Sequence, residues 1–210
     1  PGVPAYKSLK EVTGEVEGII DFSHPNNLAD ILAYVKAHKI PAVIATTGFS
    51  EDQLASIQEA SKEAPIFQSY NTSYGVAMLN KMVKEFTAEL YAHDFDVEIL
   101  EAHHHRKIDA PSGTAKMLYN SAASAIDGAH PIYDRESRHE KRERNEIGIA
   151  SLRAGTIYGE HTVLYGGDDE LIEIKHTALS RDIFAKGAVS AMNALAKKDK
   201  GFYNLETLYN

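Results

Sequence analysis

The chain has 210 residues, 43% hydrophobic and 25% charged, with a formal net charge of −8, so it can bury a real core as one large domain or two small ones. No apolar run approaches the roughly 20 residues that span a bilayer, the opening residues do not read as a secretory signal, and the acidic balance argues against a broad basic face for nucleic acid. Cysteine is absent, which rules out a disulfide framework, a thiol nucleophile and a thiolate metal site, and makes a reducing cytoplasm the expected location.

In chain order, Val16–Phe22 reads as a short apolar strand ending in Ser23-His24-Pro25. Asn26 or Asn27 is placed to cap a helix running to about His38, with Leu28, Ile31, Leu32 and Val35 on one stripe. Pro41–Ala45 is a second strand, and Thr46-Thr47-Gly48 its turn. Ser50 caps a helix to about Lys62, with Asp52 favoured in the first turn by the helix dipole. Ile66–Gln68 is a third strand, and a helix from Asn71-Thr72-Ser73 to about Tyr91 buries Val76, Leu79, Met82, Val83 and Phe86. Repeated strand–helix alternation predicts an α/β fold with a parallel sheet covered by helices.

The pattern changes after Tyr91. Phe95–His103 reads as a strand and Ser112 to about Ala125 as a helix. Arg135–Glu146 mixes basic and acidic residues without periodicity, so a solvated, mobile loop is expected. Ile147–Arg153, Glu160–Tyr165 and Glu170–Ala178 read as an antiparallel set with Gly-rich turns, giving a mixed, largely antiparallel second sheet. Ser180 or Arg181 starts a last helix to about Ala196, and Gly201–Leu208 is placed to add a strand.

Residues 98–115 carry the chemistry. His103, His104, His105, Arg106 and Lys107 form a cationic cluster on an acidic protein, which suggests an anionic small molecule. Pro111 suits a helix edge, and Ser112, Gly113 and Thr114 offer backbone N–H groups at a helix start. Side-chain cations and helix-end amides together suit a dicarboxylate. Within a regular strand His103 and His105 share one side and His104 the other, so the three cannot converge unless the strand bends. A metal site is not expected, because no His-x-x-x-His partner or carboxylate follows on the next helix. Lys107, buried beside other cations, would have a lowered pKa. Asp109 either orients the cluster or flanks the helix. The loops at Phe22-Ser23, Thr46–Gly48 and Tyr70–Ser73 follow strands of the parallel sheet, the edge where doubly wound sheets bind ligands.

The pattern Glu98-Ile99-x-Glu101-x-His103-xxx-Lys107-x-Asp109-x-Pro111-Ser112-Gly113-Thr114-Ala115 resembles the signature of the dihydrodipicolinate reductase family of the diaminopimelate–lysine pathway. The similarity continues through Asp21-Phe22-Ser23, Ala45–Gly48, Asn71–Gly75, Ile147–Thr156 with Gly159-Glu160-His161, and Phe184–Ala188, where Lys186 replaces the family's usual Asn. The resemblance implies a dinucleotide-binding domain of residues 1–72 and 184–210, and a substrate-binding and oligomerisation domain of residues 73–183. It implies that His103 and Lys107 are catalytic and that His104, Ser112, Gly113 and Thr114 hold the substrate carboxylates. Phe22, Ser23, Thr46, Thr47, Gly48, Tyr70, Asn71, Thr72 and Ser73 would approach NADPH or NADH. A homotetramer without metal is implied as well.

A Rossmann domain opens with a strand, a Gly-rich turn that holds the pyrophosphate, and a helix. Residues 1–210 show no such turn, and the first strand resembles a later strand of the family fold. Two expectations therefore stand beside each other. One is a working reductase. The other is a dicarboxylate-binding homologue that binds NADH and NADPH weakly and turns over little. The residue that selects between the two cofactors would follow the Gly-rich turn, so the preference is not legible.

Overall fold

The computed structural model describes residues 2–209; Pro1 and Asn210, the outer limits of the expected first domain, lie outside the described residues. The elements of the first half are β1 (Ile19–Asp21), α1 (Leu28–His38), β2 (Ala42–Ile44), α2 (Glu51–Ala60), β3 (Pro65–Gln68) and α3 (Tyr74–Ala92). The second half holds β4 (Asp96–His103), α4 (Gly113–Ala123), β5 (His130–Ile132), β6 (Glu146–Arg153), β7 (Glu160–Gly166), β8 (Leu171–Thr177), α5 (Asp182–Leu195) and β9 (Gly201–Tyr203). The chain divides into two compact units, Pro1–Thr72 with Phe184–Asn210, and Ser73–Ile183.

The first unit is built on a parallel sheet in the order β1-β2-β3-β9. Its core joins Leu28, Ile31, Leu32 and Val35 of α1 to Ile57 and Ala60 of α2 and to Ala42, Ile44 and Ile66 of the sheet. The expected stripe on α1 is the buried one. The cap of that helix differs in part from expectation. Asn27 stands at the N-cap position as expected but its side chain makes no cap bond; Pro25–Asn27 forms a 3₁₀ turn, and the Asn26 N–H donates to His24 Nδ1 at 3.2 Å. The proline at the first position of that turn moves the chain reversal upstream of the asparagines. Ser50 forms a full capping box on α2, accepting from the Gln53 N–H at 3.3 Å while its own N–H donates to Gln53 Oε1 at 3.0 Å. A Cβ at Gly18 would stand 2.8 Å from Met192 Sδ, so glycine is what lets α5 approach the start of β1.

The second unit is a five-stranded sheet in the order β5-β6-β4-β7-β8. The α/β class with a parallel first sheet and a mixed second sheet is as expected. The pairing within the second sheet is not. β6 runs parallel to β4, and β4 lies between β6 and β7, so the three later strands are not a consecutive antiparallel set. The crossover through α4 and β5 is long enough to return β6 parallel to β4, and residues 154–159 then pass over the end of β4 to reach β7. β5 was not expected at all.

One face of this sheet carries Val97, Ile99, Ile147, Ile149, Val163 and Tyr165, packed under Leu79 and Val83 of α3 and Ala115, Leu118 and Ala122 of α4. On α3 the buried stripe runs Val76, Leu79, Asn80, Val83 and Thr87, while Phe86 is 45% exposed and Met82 only half-buried. Thr87 takes the inward place because its hydroxyl bonds Val83 O at 2.6 Å and Tyr165 Oη at 2.9 Å.

The segment 135–146 is also not the free loop expected. Arg135 pairs with Glu98 at 2.5 Å and Glu146 at 2.8 Å, and Arg138 with Glu146 at 2.7 Å. Arg142 reaches Asp96 at 2.6 Å, Glu98 at 3.3 Å and the Glu146 carbonyl at 2.6 Å. Glu146 is fully buried, and a buried carboxylate holds its partners in place.

Candidate active site

The centre of the candidate site is built on the helix-covered face of the five-stranded sheet. In the register of that sheet His103 lies beside Arg153 on β6, and Glu101 beside His161 on β7. Glu101 and His103 are two residues apart on one strand, so both side chains point to the same face.

Glu101 is 1% exposed and fully engaged. Arg153 grips both its oxygens, Nη1 to Oε2 at 2.9 Å and Nη2 to Oε1 at 2.8 Å. The Ser112 N–H donates to Oε1 at 3.2 Å, and His103 Nδ1 lies 2.6 Å from Oε2. Burial pushes this carboxyl up, but the hydrogen bonds from Arg153, Ser151 and His103 prevail and hold it at about 2. Burial pushes the His103 imidazole down; Glu101 opposes that, and Lys107 and Arg153 reinforce it. A Cβ at Gly159 would stand 3.1 Å from His103 Nε2, so glycine leaves that edge of the ring clear.

His161 packs edge-on against His103 with ring centroids 5.1 Å apart, and its Nε2 lies 3.0 Å from Ser112 Oγ. It is 3% exposed, and burial, followed by the charge of His103, holds its imidazole at about 3. It is therefore neutral at physiological pH. Ser112 caps α4, its Oγ accepting from the Ala115 N–H at 3.2 Å. Gly113 is exposed, and a Cβ there would meet nothing within 4 Å, so the backbone at the helix start is open to approach.

β4 ends at His103, and the chain bends there. The Ala154 N–H donates to His103 O at 2.9 Å, the His105 N–H to Gly155 O at 3.2 Å and the Lys107 N–H to His104 O at 3.0 Å. Lys107 Nζ meets Asp109 Oδ1 at 2.8 Å, and Arg153 Nη2 donates to Asp109 O at 2.6 Å. Burial opposes ionisation of Asp109, but Lys107 holds its carboxyl below the usual range. His104 is half-buried; that burial, then Arg106, Arg181 and Lys107, push its imidazole down. His105 is exposed.

Of the residues singled out in the sequence, His103 and Ser112 thus belong to one hydrogen-bonded network, and Lys107 lies near enough to act on His103 by charge. No such bond ties in His104. Glu101 and His161 were not given site roles from sequence, and for Arg153, part of an Arg-Ala-Gly run similar to the family's, a functional and a purely structural reading were evenly matched. The signal for Glu101 was its i,i+2 relation to His103 on a strand. Arg153 is decided, and His161 becomes visible, only through the register.

In the first unit, Ser23 donates its hydroxyl to Asp21 Oδ1 at 2.6 Å, and Thr72 donates its hydroxyl to Phe184 O at 2.7 Å. Ser73, the first residue of the second unit, caps α3, accepting from the Val76 N–H at 3.3 Å. Phe22 and Tyr70 are 53% and 52% exposed. Thr46 Oγ1 and Gln68 Nε2 are buried without a hydrogen-bond partner among the described residues. A cleft of about 630 Å³ opens between the loops after β1 and β2, lined by Ser23, Thr47, Gly48 and Gln53 among others. Gly48, at φ +85°, takes the left-handed conformation that this turn requires. The orphaned atoms stand at the C-terminal ends of β2 and β3, and the cleft opens beyond the ends of β1 and β2, so this sheet edge offers both unsatisfied polar groups and room for a ligand.

Compared with known families, residues 1–72 match the N-terminus and residues 75–208 the C-terminus of dihydrodipicolinate reductase. The chain belongs to the dihydrodipicolinate reductase family. It is 56% identical over 207 residues to the 4-hydroxy-tetrahydrodipicolinate reductase of Exiguobacterium sibiricum, covering 99% of this chain and 82% of that one. It is 41% identical over 208 residues to the Clostridium tetani reductase, covering 99% and 81%. The Paenisporosarcina sp. dihydrodipicolinate reductase, solved with dipicolinate bound, superposes with a TM-score of 0.71 at 24% identity, over 90% of this chain and 72% of that one. An amine dehydrogenase from Mycobacterium smegmatis follows at TM-score 0.53 and 9% identity, over 91% and 75%. Those two likenesses speak for the fold. Membership makes the chain an oxidoreductase of this family, whose chemistry implies a nicotinamide cofactor, and nothing in these similarities supports the expectation of a homologue with impaired turnover. No described helix is long and apolar enough to cross a membrane.

Proposed function

We propose that the chain reduces a dihydrodipicolinate-type ring to tetrahydrodipicolinate with NADPH or NADH, a step of the diaminopimelate–lysine pathway. One observation carries the mechanism: His103, Glu101 and the N-terminus of α4 share a single hydrogen-bonded network. That network sets a proton donor beside an anion seat.

When bound, the nicotinamide supplies hydride. The residues of this chain do the rest. His103 delivers the proton that must meet the charge left on the ring, through Nε2, the edge beside Gly159. Lys107 offsets the charge of one carboxylate and serves as a second catalytic cation. The N–H groups of Gly113 and Thr114, with Ser112 and His104, seat the other. Fixing both carboxylates fixes the ring. Residues 73–183 form the substrate-binding and oligomerisation domain in this reading, and residues 1–72 with 184–210 the dinucleotide-binding domain. Thr46, Thr47, Gly48 and Gln68 would hold the nicotinamide end, with Phe22, Ser23, Tyr70 and Asn71 beside it and Thr72 and Ser73 shaping the loop.

The reaction needs no metal in this reading. His130, Glu143 and Glu146 are close enough to suggest a site, but Arg135 and Arg138 already hold Glu146. The working form is a cytoplasmic homotetramer, and neither nucleic acid nor membrane is a partner. Cofactor oxidation with the ring substrate tests the proposal. His103→Gln is expected to lower kcat by about 10²–10⁴-fold, the usual worth of a positioned acid. Turnover is expected to survive dialysis against a chelator. Wild-type turnover in His103→Gln would refute this assignment.

A further inference from the structure

We infer that Glu101 and Arg153 are positioning residues of the reduction: Arg153 grips Glu101, and Glu101 locks His103 with its proton on Nδ1, leaving Nε2 as the one ring atom that exchanges a proton with a ligand. The inference rests on the reading of His103 as the acid and assigns roles that the reading itself does not.

The geometry allows little else. An ionised carboxylate only accepts hydrogen bonds. Arg153 donates to both oxygens at 2.9 and 2.8 Å, and the Ser112 N–H donates to one of them. With the carboxylate so held, the 2.6 Å contact requires His103 Nδ1 to be the donor. The two-point grip also prevents rotation of the carboxylate, so the imidazole plane is fixed with it.

The surrounding charges explain why Glu101 is needed. His103 is faced by Glu101 from its own strand, by Arg153 from β6, by Lys107 from the turn after β4 and by His161 from β7. Arg153 and Lys107 are cations, and His161 is neutral. Glu101 is the only one of these four that favours an imidazolium. Lys107 is itself paired with Asp109. After Nε2–H passes its proton to the ring, His103 is left neutral with Nδ1–H still on Glu101, and a solvent proton restores it.

The first test uses the wild-type protein. Side-chain nitrogen NMR, with His103→Gln to identify the signal, should find neutral His103 as the Nδ1–H tautomer. A neutral Nε2–H tautomer would overturn the inference. The second test is Glu101→Gln. Expected are a fall in kcat of about 10²–10⁴-fold, as for loss of an orienting carboxylate, and a KM that changes far less. The limb of the kcat profile that reports protonated His103 should move to lower pH, because the counter-charge is gone. Unchanged kcat with an unchanged limb would overturn the inference. Should Glu101→Gln fail to fold, the wild-type tautomer still decides it. Wild-type turnover in His103→Gln would instead sink the functional reading while leaving the tautomer lock measurable.

Discussion

His161 and Glu101 lie opposite each other on β7 and β4, and both tie the fold to pH. The His161 pKa is about 3 against an ordinary 6.5, so the folded state prefers the neutral ring. Its stability contribution is complete above pH 6.5 and is lost as pH falls toward 3, at about 1.4 kcal/mol per pH unit. His103 and His176 are lowered as well and act with the same sign. Glu101, held at about 2 against an ordinary 4.5, adds its own loss only as pH falls from 4.5 toward 2. Urea unfolding of the wild type should therefore show stability declining from pH 6.5 downward and more steeply below 4.5. His161→Gln should flatten the upper part of that decline. An equal slope in the variant would remove His161 from the account. The residues at this scale were partly legible: His103, Lys107 and Ser112 stand out by type and spacing. Arg153 and His161 did not, because their meaning depends on which strand lies beside β4.

At the scale of elements, local pattern was a good guide and pairing was not. The stripe on α1, the capping box on α2 and the Ser112 cap on α4 depend on residues three or four apart, which a sequence displays directly. The order β6-β4-β7 depends on a crossover across the sheet, which periodicity does not encode. The segment 135–146 failed for a related reason. Its charges look solvated until Asp96, Glu98 and Glu146 are seen beside them. Arg142 is the chief fastener, since it bonds Asp96, Glu98 and the carbonyls of Val97 and Glu146. Arg142→Ala should remove these bonds, leaving Glu98 to Arg135 alone, and loosen the segment. The expected outcome is faster tryptic cleavage within residues 135–146, with a stability loss of roughly 1–3 kcal/mol. Cleavage as slow as in the wild type would mean the segment is held by other contacts.

At the scale of the whole molecule, the five-stranded sheet has two unlike faces. One is buried under α3 and α4 and carries the candidate site. Alternation puts Leu100, Leu152 and Leu171 on the other face, and they are 41%, 57% and 66% exposed. The segment 135–146 covers this face only near Asp96 and Glu98. Beyond that, the same alternation puts Thr162, Glu173 and the Lys175–Glu160 pair, at 2.6 Å, on this face beside the leucines. Exposed leucines clustered on one sheet face among charged residues are a surface that copies of one chain can bury against each other. This is the physical support for the tetramer proposal. Light scattering of the wild type should give four chains at micromolar concentration. Leu152→Glu would place a charge where an apolar contact is buried and should shift the protein to smaller species. Because Leu152 points away from the site, that variant should still bind pyridine-2,6-dicarboxylate and keep its far-ultraviolet dichroism. A stable wild-type monomer would overturn the assembly and leave this face to some other partner, and a Leu152→Glu protein that stays tetrameric would move the interface elsewhere on the chain.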